Sequence, residues 1–147
     1  MTPLTSNPAG RWIYVLHPFR GTGLQGEREK NRARIELICR EIMGLGHVPL
    51  SPVHFAGFLD DTHPHDRAQA FALCQALIRR ADEVWSFTVA SRRFDPVGLR
   101  YIHTPVVSAG CARDLEDATK ANKPIIYFHY EEGAGAVRDL RLSRGGV

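Results

Sequence analysis

The segment SAGCARDLEDA, residues 108–118, combines small residues with three acids at the start of a predicted helix. In a helix, Asp114 lies three residues after Cys111, four after Gly110 and four before Ala118, so it shares their small-residue face. A carboxylate on that face can point into a ligand-binding crevice. The alternative is an ordinary solvent-exposed acid. Asp114 is therefore the candidate catalytic acid of the segment.

The other reactive groups of this segment have simpler interpretations. Glu116 is rotated by about 200° from Asp114 on the helix, and it is spaced to form an ion pair with Lys120. Glu116 and Asp117 are therefore predicted to face water. Cys111 lies in the first helical turn, where the helix dipole could lower a thiol pKa and create a nucleophile. No base is identified beside it, which favours a buried packing cysteine.

A glycine-rich stretch, GTGLQG at residues 21–26, matches the spacing GxGxxG between a predicted strand and a predicted helix. This context is that of a dinucleotide-binding loop, but HPFR intervenes and no ribose-binding acid follows the second strand. Backbone amides, a helix N-terminus and Arg20 would together favour a phosphate or hydroxyl group. A flexible loop without a ligand is the third interpretation.

Four of the seven histidines fall within residues 47–65, with three aspartates nearby. A metal site is one interpretation of this cluster, since histidine and aspartate are common ligands. Their spacing matches no metal-binding signature, however, and loop histidines beside prolines are typically solvated turn residues. We therefore predict that the protein binds no metal.

Four short β-rich runs alternate with three helical patterns along the chain. The predicted strands cover residues 11–16, 47–51, 83–89 and 124–128, and the predicted helices cover residues 27–45, 65–80 and 108–121. This alternation predicts a parallel sheet with helices on both faces, because parallel strands need crossover connections. Ligands of such folds bind outside the carboxyl ends of the strands.

Some segments fall outside this alternation. They are a loose leader over residues 1–10, a long loop over 52–67, an inserted loop or lid over 91–105, and an unassigned tail over 131–147. The loop over 52–67 has more than a dozen residues, and loops of that length usually have a functional role.

The bulk composition predicts one domain in the cytoplasm. A length of 147 residues suits a single domain with its own core. A net charge of +3 with scattered arginines does not favour binding to polymeric nucleic acid. The three widely spaced cysteines suit reduced thiols. The N-terminus lacks a signal-peptide pattern and no apolar stretch approaches about 20 residues, so we expect no membrane contact.

An ordered set of motifs resembles the nucleoside 2-deoxyribosyltransferase-like superfamily. The motifs are YVLHPFRG, GHVPLSP, FLDD, LIRRADEVWSF and SAGCARDLEDA…NKPI, spread over residues 14–128. Within that superfamily the chain is most similar to an uncharacterised bacterial and phage domain family. The resemblance implies a three-layer, flavodoxin-like or Rossmann-like α/β domain with a four- to five-stranded parallel sheet. It also implies a homodimer that needs no cofactor and handles small nucleosides or nucleotides at the N-glycosidic bond.

The resemblance further implies roles for individual residues, with Asp114 at the position of the nucleophilic carboxylate. The residues that it places against the substrate are His17, Arg20 and Gly21 after the first strand, Asp82 beside the sugar, and Ser108 and Gly110 in the last motif. In this chemistry a carboxylate attacks the anomeric carbon as the base leaves, and water or another base resolves the glycosyl-enzyme.

The chain departs from the family pattern in two places. Residue 114 is Asp where the family has Glu, so its carboxylate is one methylene shorter, and reaction geometry tolerates displacements of about 1 Å poorly. Residues 91–105 replace a short connection, and their Phe94 and Tyr101 either stack on a base or pack the insert down. We expect an N-glycosidase or deoxyribosyltransferase, with a nucleotide-binding or sensing module that has lost the reaction as the alternative.

Overall fold

The predicted strands and helices occur in the predicted order, with a short extra helix and a β-hairpin added to them. The computed structural model describes residues 10–19, 26–60, 62–106 and 109–131. The strands are β1 Trp12–Leu16, β2 Val48–Leu50, β3 Glu83–Asp95, β4 Arg100–Val106 and β5 Ile125–Glu131. The helices are α1 Glu27–Gly44, α2 Pro52–Phe55, α3 Pro64–Arg80 and α4 Ala109–Lys120. The predicted leader, apart from residue 10, and the tail beyond residue 131 lie outside the described residues.

Four of the strands form a parallel sheet in the order β2-β1-β3-β5. Ile13 of β1 pairs with Pro49 on one side and with Glu83 on the other. Val84 of β3 in turn pairs with Ile125. The helices α1, α3 and α4 lie in the connections between successive parallel strands, as crossovers require. The predicted α/β fold with a parallel sheet is confirmed.

Alternation along β1 sends its side chains into two different cores, because successive residues of a strand point to opposite faces. Tyr14 and Leu16 pack on one face with residues of α3 and α4, and this side is called the α3/α4 face. Ile13 and Val15 pack on the other side, called the α1 face, with Ile35, Ile38 and Ile42 of α1. Since helices cover both faces of the sheet, the predicted three-layer arrangement is also confirmed.

Residues 91–105 form a β-hairpin, so the prediction of an inserted loop is wrong. β3 continues past its parallel partners to Asp95, which lies opposite Arg100 of the antiparallel strand β4. In the turn, the Val97 N–H donates to Asp95 Oδ1 at 3.0 Å and Leu99 takes a φ of 50°. Aromatic and β-branched residues within this segment favour strands, whereas its Asp-Pro and Gly mark only the turn. The strand that this hairpin adds to the sheet, β4, is therefore antiparallel to β3.

The long loop after β2 is partly helical. Pro52–Phe55 form α2, and the backbone N–H of Asp60 donates to Asp66 Oδ2 at 2.9 Å in the region that follows. α3 begins at Pro64, where the missing N–H of proline costs no helical hydrogen bond. Among the described residues, no helix is both long enough and apolar enough to span a membrane.

Candidate functional site

The carboxyl ends of the parallel strands, called the carboxyl edge, are where ligands bind in open α/β sheets. The strand order β2-β1-β3 reverses direction at β1, so the crevice expected from this rule lies between β1 and β3. At this edge His17 follows β1 and Ser51 follows β2. Arg20, Gly21 and Ser108, which the sequence placed in the site, lie outside the described residues.

Asp114 is joined to the sheet by a hydrogen bond from Tyr14. The Tyr14 hydroxyl donates to Asp114 Oδ2 at 2.7 Å, across the space between β1 and α4. The Tyr14 side chain is fully buried and Asp114 is half-buried. Cys111 and Ala118, three residues before and four after Asp114, are both buried in the same core. Asp114 therefore lies on the small-residue face of α4, as the helical spacing predicts.

Burial dominates the electrostatics of Asp114. It raises the pKa of this carboxyl from the ordinary 3.8 to about 6. The hydrogen bond from Tyr14 and the positive charge of Arg113 oppose the rise, whereas the Asp117 carboxylate adds to it. A carboxyl with such a pKa is mostly ionised at pH 7 but exchanges a proton near neutrality. Nucleophiles and general bases of enzymes are commonly tuned in this way.

Tyr14 and Cys74 complete the surroundings of Asp114, although no sequence pattern assigned either of them to the site. Burial, followed by the nearby Asp114 charge, raises the pKa of Tyr14 well above 10, so Tyr14 remains a hydrogen-bond donor. Burial also raises the pKa of the Cys74 thiol to about 11, and this thiol is hydrogen-bonded to Tyr14. The sequence places Tyr14 on the same strand face as Leu16, but no pattern pairs it with Asp114.

The exposed side of α4 behaves differently from the side that carries Asp114. Lys120 Nζ and Glu116 Oε1 form the predicted ion pair at 3.0 Å, which confirms that Glu116 faces water. Asp117, which was predicted to be solvated, is half-buried. The Arg113 guanidinium stacks 4.2 Å above the Phe71 ring and so ties α4 to α3.

The loop after β1 is held by buried polar groups. His17 is 8% exposed, and burial lowers its pKa from 6.5 to about 4, so the imidazole is neutral at pH 7. Its Nδ1 lies 2.6 Å from the carbonyl oxygen of Pro18. Asn31 of α1 donates to the carbonyl oxygen of Phe19 at 2.9 Å. Gly26, with a φ of 89°, starts α1 in a conformation that favours glycine.

The remaining predicted residues differ in their exposure and in the edge of the sheet at which they lie. Gly110 is exposed in the first turn of α4, whereas Cys111 is 7% exposed and packs in the core, which is the packing interpretation. Asp82 precedes β3 and therefore lies at the opposite edge of the sheet. There Asp82 Oδ2 accepts the Trp12 N–H at 2.8 Å. The sugar-side role that the resemblance implies for Asp82 does not fit this position.

The histidines of residues 47–65 are dispersed among separate partners. His47 Nδ1 accepts the Arg11 N–H at 3.1 Å, and His65 Nε2 lies 3.2 Å from the Gln69 side-chain amide. His54 contacts Ser51 and Glu36. Within the described part of the chain, no group of three His, Cys, Asp or Glu side chains could hold a metal ion.

Solved structures relate this architecture to one class of enzyme fold. The 2-deoxyribosyltransferase of the psychrotolerant bacterium Bacillus psychrosaccharolyticus is similar, with a TM-score of 0.51 and 21% identity over 80% of this chain and 72% of that chain. The 2-deoxyribosyltransferase of Leishmania mexicana gives a TM-score of 0.48 and 18% identity over 81% of this chain and 64% of that chain. The first likeness shows that the chain has the 2-deoxyribosyltransferase fold, so the resemblance seen in the sequence is confirmed at the level of fold.

The amino-acid sequence also assigns the chain to a protein family. Residues 11–92, more than half of the chain, match the family described as "Domain of unknown function (DUF7768)", and the chain belongs to this family. The matched region runs from β1 into β3 and ends before α4. No curated protein matches the chain.

Proposed function

We propose that the protein cleaves or transfers at the N-glycosidic bond of a small nucleoside or nucleotide, with Asp114 as the nucleophile. The observation that carries this proposal is the half-buried Asp114 carboxylate, whose pKa of about 6 leaves it ionised at pH 7 beside a tyrosine donor. The fold supports it, since the similar solved structure is a 2-deoxyribosyltransferase.

The proposed chemistry assigns different tasks to the two carboxylate oxygens of Asp114. Tyr14 holds Oδ2, so Oδ1 attacks the anomeric carbon as the bond to the base breaks through an oxocarbenium-like transition state. The resulting glycosyl ester is resolved by water in a hydrolase or by a second base in a transferase. Tyr14 orients the carboxylate and does not act as a base, because its raised pKa keeps it protonated.

The substrate contacts in this proposal come from the carboxyl edge. His17 is a neutral imidazole there, and the exposed Gly110 lets a ligand approach the first turn of α4. Arg20, Gly21 and Ser108 are proposed for sugar or phosphate contacts on the basis of the resemblance. We leave Asp82 out, since it lies at the other edge. A dimeric, cytoplasmic enzyme without a cofactor or metal remains part of the proposal.

A second candidate function is a nucleotide-binding or sensing module without catalysis. The short Asp114 side chain favours it, because Asp114 Oδ2 is already bound to Tyr14 inside the fold and the carboxylate reaches less far than glutamate would. This candidate predicts saturable nucleotide binding with no release of free base.

The deciding experiment incubates the purified protein with pooled nucleosides and 5′-nucleotides, with and without an acceptor base, and measures free and exchanged base by chromatography. Release or exchange that disappears in Asp114→Asn supports the enzyme. Binding by calorimetry without release supports the sensing module. Full turnover by Asp114→Asn on a confirmed substrate would refute Asp114 as the nucleophile.

A further inference from the structure

A cavity of about 370 Å³ lies on the α1 face, away from Asp114, between α1, the end of β2 and α2. Leu50 at the end of β2 packs on the α3/α4 face, and the next residue, Ser51, points the other way into this cavity. The chemically active residues of its lining are Glu36, Cys39, Arg40, Ser51 and His54, and Phe55 adds an aromatic wall.

Three of these side chains form a hydrogen-bonded chain. Ser51 Oγ lies 2.8 Å from His54 Nδ1, and His54 Nε2 lies 3.5 Å from Glu36 Oε1. A carboxylate can only accept, so the contact with Glu36 favours a proton on Nε2. Nδ1 is then the acceptor, and the Ser51 hydroxyl donates to it. A hydroxyl, a base and a carboxylate that orients the base are the parts of an activated serine nucleophile.

The Ser51 hydroxyl is not used to cap the helix that follows it. Ser51 occupies the N-cap position of α2, where a serine oxygen usually accepts a backbone N–H. Here its side chain makes no capping hydrogen bond, and the Ser51 carbonyl accepts the N–H groups of His54 and Phe55 instead. The hydroxyl instead contacts the imidazole, and it is also hydrogen-bonded to the neighbouring Cys39 thiol.

The neighbouring groups suit an acyl-transfer site better than a thiol or metal site. Burial raises the pKa of the Cys39 thiol to about 11, so Cys39 is a neutral neighbour of Ser51 and a poor nucleophile. Arg40 supplies a guanidinium that can pair with a carboxylate. Phe55, 47% exposed, offers an apolar surface to the rest of a ligand.

We propose that this cavity is a second chemical site, in which Ser51 accepts an acyl group from a small ester that carries a carboxylate for Arg40. Ser51 Oγ forms a bond to the acyl carbon, and its proton passes to His54 Nδ1. The bond between the acyl carbon and the alcohol oxygen breaks, and the alcohol leaves with the proton from His54. Water then hydrolyses the acyl-serine by the same proton transfers in reverse, which releases the acid.

The test uses the full chain with two activated esters, para-nitrophenyl acetate and the para-nitrophenyl half-ester of succinic acid. We expect a burst of nitrophenolate and an acyl group mapped to Ser51 by peptide mass spectrometry, with a preference for the half-ester that Arg40→Gln removes. His54→Gln should slow the burst by about 100-fold, whereas His65→Gln, an exposed histidine of α3, should leave it unchanged.

Mapping on the wild-type chain decides the outcome even if Ser51→Ala fails to fold. An acyl group found elsewhere, no acylation of the folded protein, or an unchanged burst in folded Ser51→Ala would each overturn the proposal. No nucleoside takes part in this assay, so its result is independent of base release through Asp114.

Discussion

On the α3/α4 face, Asp114 is bound to a tyrosine that has no exposed surface, whereas on the α1 face Glu36 keeps half of its side chain in water. Both carboxylates contact a side chain that can pass or hold a proton. Burial raises the pKa of Asp114 to about 6, and Glu36 lacks burial of that depth. A polar partner is therefore common to both carboxylates, whereas their depth in the fold distinguishes them.

The largest expected effect separates two acids of the same helix. Asp114→Asn should lower base release by about a thousandfold or more, since the proposed nucleophile is gone. Glu116→Gln, two residues away but paired with Lys120 in solvent, should leave release unchanged. Initial rates from chromatography measure both, and equal rates in the two variants would remove the distinction between the buried and exposed sides of α4.

Stability against pH should show two opposed slopes. Asp114 binds its proton more tightly in the folded state than in the unfolded chain, so its contribution to the free energy of unfolding falls by about 3 kcal/mol as pH rises from about 4 to 6. His17 has a folded pKa of about 4 against 6.5, so its contribution of about 3 kcal/mol is complete above pH 6.5 and is lost as pH falls towards 4.

Single variants should expose each slope. Asp114→Asn keeps only the pH dependence of His17, so its free energy of unfolding should fall only as the pH falls. His17→Gln keeps only the pH dependence of Asp114, so its free energy of unfolding should fall only as the pH rises. Glu116→Gln, the control, should show both slopes. Urea unfolding at closely spaced pH values between about 4 and 7 measures this. Parallel stability profiles for the two variants would contradict the opposed effects of burial on the acid and on the imidazole.

The hydrogen bond within the Asp114 site has a smaller expected effect. Tyr14→Phe removes the donor from a buried carboxylate, which should cost about 1–3 kcal/mol of unfolding free energy at pH 7. Since this bond lowers the pKa of Asp114, the acidic limb of the base-release profile should also move to higher pH. Tyr127→Phe, at a half-buried tyrosine of β5, is the control and should move neither quantity.

The exposed carboxylate of the other face should give the smallest effect. Glu36→Gln should slow the ester burst by no more than about fivefold, because partly exposed ion pairs contribute only about 0.2–1 kcal/mol. Glu36→Asp should restore part of the rate, and the ester KM should stay constant if Glu36 only orients His54. If Glu36→Gln slowed the burst as much as His54→Gln does, the exposed carboxylate would be as important to its site as the buried Asp114 is to the other.

Local patterns in the sequence were sufficient for the parallel strands with their crossover helices, and for the side of α4 on which Asp114 lies. Helical spacing alone separated Asp114 from Glu116. The partner of Asp114 could not be predicted in this way, since Tyr14 is 100 residues earlier and meets it only through the crossovers that set the strand order. Contacts of that kind depend on topology, which no local pattern encodes.

Asp82 and the hairpin show two different reasons for error. The residue before a parallel strand lies at the amino edge, so the predicted start of β3 already contained the evidence against a sugar contact for Asp82. Residues 91–105 were predicted to form a loop because they break the alternation of strands and helices, and an antiparallel hairpin breaks that alternation in the same way. The resemblance implied a sugar contact for Asp82, whereas the direction of β3 places Asp82 at the edge away from the expected crevice.

The hairpin of β3 and β4 extends from one end of β3 and stays part of the sheet. Val89 and Val106 are paired at its base, and paired antiparallel residues lie only about 5 Å apart. The chain beyond that pair can therefore shorten to a tight turn or lengthen into a larger structure without moving β1 or β5. The hairpin is thus a place where the chain tolerates a change in length that leaves the parallel sheet intact.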